Sequence, residues 1–138
     1  MKKFFYVLII AAFVFPSCTE KVTIPQNSQN LSGYWINEEL NDTIFSFHRS
    51  ASLAEGQYCF GLLSDGTFIE RKNGGWCGTP PIAYADYEGE WSIQDSLIHI
   101  SVPYWGGMSY YTWKLISIDD EELTYYVVDA DYEQNIEL

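Results

Sequence analysis

The chain has 138 residues, enough for one modest core but too few for that core plus a separate catalytic domain. Its formal net charge is −12; Lys2 and Lys3 fall in the first 17 residues, so the remainder sets five basic residues against 19 acidic ones, a charge of −14. That field argues against nucleic-acid binding, and the many Tyr and Trp residues after position 17 argue against a disordered chain.

The first element is an export signal over residues 1–17. Met1-Lys2-Lys3 precedes twelve unbroken apolar residues, Phe4 to Phe15, and then Pro16-Ser17-Cys18. A basic start and a short apolar run make a secretory signal, since a membrane span needs roughly 20 apolar residues. Ser17-Cys18 resembles the lipobox of bacterial lipoproteins in its loose Ser-Cys form. The resemblance implies cleavage before Cys18, lipid on its sulfur and amino terminus, and attachment to a membrane of the cell envelope. Two or more acyl chains hold a protein there stably, where one does not. Residues 18–30 then form the lipidated cysteine and a polar tether, reaching on the order of 20 Å as a coil.

Residues 31–138 form the domain. No stretch keeps a 3.6-residue apolar period, while short β-rich runs recur between turn signals. The predicted strands are 31–36, 43–48, 57–63, 67–71, 84–93, 97–102, 109–118 and 123–128. Hairpin turns join three consecutive pairs: Ser64-Asp65-Gly66, Gln94-Asp95-Ser96 and the acidic turn 119–122. The only helical piece expected is short, at 50–55. In the fifth strand Tyr87, Gly89, Trp91 and Ile93 share one side, and Asp86, Glu88, Glu90 and Ser92 the other. Eight strands in sequence, with one apolar face, predict an all-β, antiparallel up-and-down barrel, closed or half-open. Such a barrel is wide enough to be filled by side chains or to hold one small ligand.

Two cysteines remain after Cys18. Cys59 and Cys77 are expected to pair in an exported protein, closing a loop of about 18 residues for ~3 kcal/mol in the chain-entropy model. The alternative is two buried thiols. Neither has a CxxC neighbour or a nearby His, so redox and zinc readings are weak.

Taken together, Gly33-Tyr34-Trp35, Phe60 with Ser64-Asp65-Gly66-Thr67-Phe68, Gly89-Glu90-Trp91, and Tyr111-Thr112-Trp113 leading to Glu122-Leu123-Thr124 resemble the small lipocalin-like domains of bacterial lipoproteins. The resemblance covers residues 31–128. It implies a barrel anchored by lipid, with the outer membrane as the expected address, that captures a small apolar or amphipathic molecule.

Residues able to carry catalysis do not converge in the sequence. There is no nucleophile elbow, no Cys/His arrangement and no phosphate loop, so neither an enzyme nor a cofactor is expected. His48 and His99 fall on separate strands; Asp86, Glu88 and Glu90 read as a solvated face, and 119–122 as a turn on an acidic surface rather than a calcium loop. The aromatic residues say more. Trp35, Trp91 and Trp113 are expected to face inward; either they fill the core, or Trp35, Tyr111 and Trp113 line a cavity. Trp76 and Trp105, beside Gly74-Gly75 and Gly106-Gly107, either fold over a barrel end or present ring faces to a ligand. Two other functions stay open: an inhibitor- or immunity-type module for a basic protein, favoured by the charge, and a glycan-binding surface protein using Trp76 and Trp105.

Overall fold

The computed structural model describes residues 30–75 and 78–135, apart from the Asn37 side chain. The signal segment, Cys18, most of the tether, Trp76 and Cys77 lie outside the described residues.

Eight strands form among the described residues: β1 (Gly33–Asn41), β2 (Ile44–Ser50), β3 (Cys59–Leu62), β4 (Thr67–Asn73), β5 (Tyr84–Gln94), β6 (Leu97–Tyr104), β7 (Gly107–Ile118) and β8 (Glu122–Gln134). All pair antiparallel and close into a barrel, as the strand count and alternation predict. Residues on β5 alternate as expected, with Asp86, Glu88, Glu90 and Ser92 exposed and the intervening positions half-buried.

Strands β3 to β8 follow chain order round the ring. At one place the order departs from it: β1 sits between β2 and β3, and β2 pairs with β8. The connection 51–58 must therefore pass β1. That explains why no helix forms at 50–55. The Ala54 carbonyl, which a helix would use internally, instead accepts from Arg71 Nη1 at 3.0 Å and from the Cys59 thiol at 3.6 Å. Arg71 in turn holds Asp86 through two nitrogens at 2.6 and 2.7 Å, fixing the connection to β4 and β5.

Pairing registers give the barrel two distinct poles. The turns β3–β4, β5–β6 and β7–β8 share a pole with the start of β1; the turns β1–β2 and β6–β7 share the other with the end of β8. The first pole is sealed. Leu31, Trp35, Leu62, Phe68, Ile98 and Leu123 are all fully buried, and Trp35 Nε1 donates to the Leu31 carbonyl at 3.0 Å. Arg49 lies over the Trp35 ring, 4.3 Å from its centroid. Its nitrogens donate to the carbonyls of Ser32 and Asp120, each at 2.7 Å, and to that of Asn30. Gly33, at φ +151°, makes this clamp possible, because a Cβ there would fall on the Arg49 guanidinium. The Gly33-Tyr34-Trp35 run thus has a physical cause: a ring to fill the pole, and an empty position through which a cation reaches it.

Candidate functional site

Beyond the sealed pole the interior becomes polar. Phe47, Phe60, Trp113 and Tyr125 form a buried aromatic floor across the middle of the barrel; Trp113 and Tyr125 stack at 4.2 Å, and Phe60 meets Trp113 at 5.1 Å. On the far side of that floor lies an inner cavity of about 320 Å³, bounded by Glu38, Phe45, Tyr58, Glu70, Lys72, Tyr111 and Tyr132 among others. A rim cavity of about 410 Å³ adjoins it, sharing Lys72, Tyr111 and Tyr132 and adding Tyr104, Trp105 and Ser109. Together they make a mouth at the second pole.

Alternation on β4 explains the polar interior. Phe68, Glu70 and Lys72 share one face, and Phe68 points into the core, so both charges follow it inward. Glu70 is only 2% exposed. It is held on both oxygens: Tyr58 donates to Oε1 at 2.9 Å and Lys72 Nζ to Oε2 at 2.5 Å. The Lys72 ammonium also lies 5.3 Å from the Tyr87 ring centroid and 5.9 Å from that of Tyr111. The hydroxyls of Tyr58, Tyr111 and Tyr125 surround this pair. Burial pushes each of them well above the usual phenol range, and the Glu70 carboxylate adds to the push. They therefore remain protonated donors. Burial also raises the Glu38 carboxyl, which reaches the cavity beside a bulge in β1 between Ile36 and Glu39.

At the rim, Trp105 occupies the β6–β7 turn and is 56% exposed. Edge-to-face contacts run from it through Tyr104 and Tyr132 to Tyr111, at 5.7, 6.0 and 6.2 Å, and Tyr111 stacks on Trp113. Rings thus lead continuously from solvent to the floor. The Ser109 hydroxyl is fully buried at the rim cavity, beside the Tyr111 hydroxyl.

Of the residues singled out from sequence, Tyr111, Trp113 and Trp105 come together at this mouth. Trp35 does not. It fills the sealed pole, because its ring is claimed by Arg49 and its N–H by Leu31. Trp76 lies outside the described residues. Cys59 is buried, which pushes its thiol up, and has no disulfide partner among the described residues; its expected partner Cys77 lies outside them. His48 and His99 stay apart on β2 and β6, and no group of three potential metal ligands forms among the described residues. The acidic turn folds on itself: Asp119 Oδ1 accepts the backbone N–H groups of Glu121 and Glu122, which lowers its carboxyl below the usual range. Tyr58, Glu38, Glu70 and Lys72 were missed. For Glu70 and Lys72 the signal was present, since both stand at even spacing from Phe68. Charged residues on a strand ordinarily read as its wet face, and here that habit misleads.

The chain matches no known family, no curated protein and no solved structure.

Proposed function

We propose that this protein is a lipid-anchored, lipocalin-like binding protein of the cell envelope that captures a small amphipathic molecule in its open pole, without catalysing a reaction. The observation that carries the binding reading is the mouth. One pole is packed shut and the other keeps a cavity of about 320 Å³ whose walls combine aromatic rings with a few converging polar groups. That is the composition of small-molecule sites, where apolar walls supply affinity and sparse polar groups fix orientation. The anchoring rests on sequence: Lys2-Lys3, the apolar run to Phe15, and Ser17-Cys18.

Native mass spectrometry of the protein purified from its own host tests both parts. A retained small molecule that is lost on replacing Tyr111 and Trp113 with leucine, with a diacyl or triacyl mass on Cys18, is the expected result. An unmodified Cys18 overturns the anchor. Failure of every hydrophobic or amphipathic probe to saturate the purified barrel overturns the binding site.

A further inference from the structure

We propose that Lys72 sets the charge of the ligand: with it in place the cavity takes an uncharged, oxygen-bearing ring compound, and without it the cavity takes an amine. This inference rests on the reading of the mouth as a ligand site.

The Glu70 carboxylate, the adjoining ring faces and the strongly negative chain together make the surroundings that hold an organic cation. The protein fills that position with its own side chain. Lys72 Nζ lies 2.5 Å from Glu70 Oε2 and within 6 Å of the ring centroids of Tyr87 and Tyr111. An amine arriving from solvent meets a carboxylate already neutralised, and a like charge beside it. A carboxylate meets an ammonium already committed, with Glu38 and Glu70 both lining the same cavity. A hydroxyl or carbonyl on a planar ring meets neither repulsion. At the rim it finds the buried Ser109 hydroxyl beside Tyr111 and Lys72.

Removing Lys72 reverses this logic. A Lys72→Met chain keeps the Glu70 carboxylate, 2% exposed, with Tyr58 as its remaining hydrogen-bond partner among the described residues. A buried charge left without its counterion is strongly unfavourable, and an incoming ammonium relieves it.

Three probes that share an indole ring separate the outcomes: indole-3-ethanol, tryptamine and indole-3-acetate, titrated by calorimetry. The unaltered protein should bind the alcohol roughly tenfold more tightly than either charged probe, because a site with committed buried charges rejects an unmatched one. Lys72→Met should invert the order, making tryptamine the tightest by a similar factor. The double variant Glu70→Gln/Lys72→Met, which removes both charges, should lose the amine preference. If Lys72→Met folds only with help, its refolding yield should rise in ethylammonium chloride relative to sodium chloride. Equal binding of all three probes by the unaltered protein, or a Lys72→Met chain indifferent to amines in binding and in refolding, overturns the inference and leaves the cavity as a ligand site. No saturable binding of any probe to the unaltered protein or the variants overturns the site as well.

Discussion

Replacing Arg49 with methionine removes the clamp on the sealed pole while keeping a stem of similar length over Trp35. Three guanidinium hydrogen bonds disappear, to the carbonyls of Asn30, Ser32 and Asp120, together with the cation–ring contact at 4.3 Å. Two of the three bonds reach solvent, so each bond counts for the lower part of the usual range, about 0.5–1 kcal/mol. The ring contact adds about 0.5–1 kcal/mol at a partly exposed site. The sum is about 3 kcal/mol, which for a domain near 100 residues lowers Tm by roughly 12–24 °C. Arg49→Lys should recover only about 1 kcal/mol, because one ammonium cannot span three carbonyls in different directions. Urea unfolding followed by tryptophan fluorescence measures both variants. Trp35→Phe in the same background should show coupling with Arg49→Met, since the two side chains touch. A methionine variant within about 0.5 kcal/mol of the unaltered protein would refute the reasoning, because the clamp would then be decorative.

Further expectations follow from single sites. Gly89→Ala places a Cβ on the Ser101 carbonyl oxygen and 2.7 and 2.9 Å from Val102 Cα and Cβ; backbone cannot yield as a side chain can, so a loss of about 3 kcal/mol or failure to fold is expected, read as soluble yield and Tm. In alkaline titration Tyr58, Tyr111 and Tyr125 should ionise last, since burial raises all three. Their folded-state values exceed the unfolded one, so the stability they contribute is complete below about pH 10 and falls as pH rises beyond it. A final step of tyrosinate absorbance, worth these three residues and arriving only together with unfolding, checks this. Asp119 behaves oppositely: its folded value is depressed, so its contribution is present above about pH 4 and is lost as pH falls further. Asp119→Asn should therefore reduce the difference in urea midpoint between neutral and acid pH.

Local periodicity was enough to specify eight antiparallel strands with one apolar face, closed or half-open. The β5 alternation and the turn at Asp65-Gly66, where Gly66 adopts φ +89°, carry their own geometry. What local pattern does not contain is the place of β1 between β2 and β3. That is a matter of which edges meet in space, and hairpin signals report only neighbours in sequence. The site was legible in half. Aromatic residues on an apolar face announced Tyr111 and Trp113, but Trp35 carries the same signal and serves packing, because only the tertiary position of Arg49 distinguishes them. Glu38 reaches the cavity beside a bulge, where strict alternation ceases to apply.

The chain joins the barrel at Asn30, beside Asp120 and under the Arg49 guanidinium, on the pole that is packed shut. If the protein is moored through its amino-terminal side as proposed, the pull falls on the packed base, and the proposed ligand enters at the opposite end. Tension on such a mooring would bear on the Arg49 clamp rather than on the walls of the cavity.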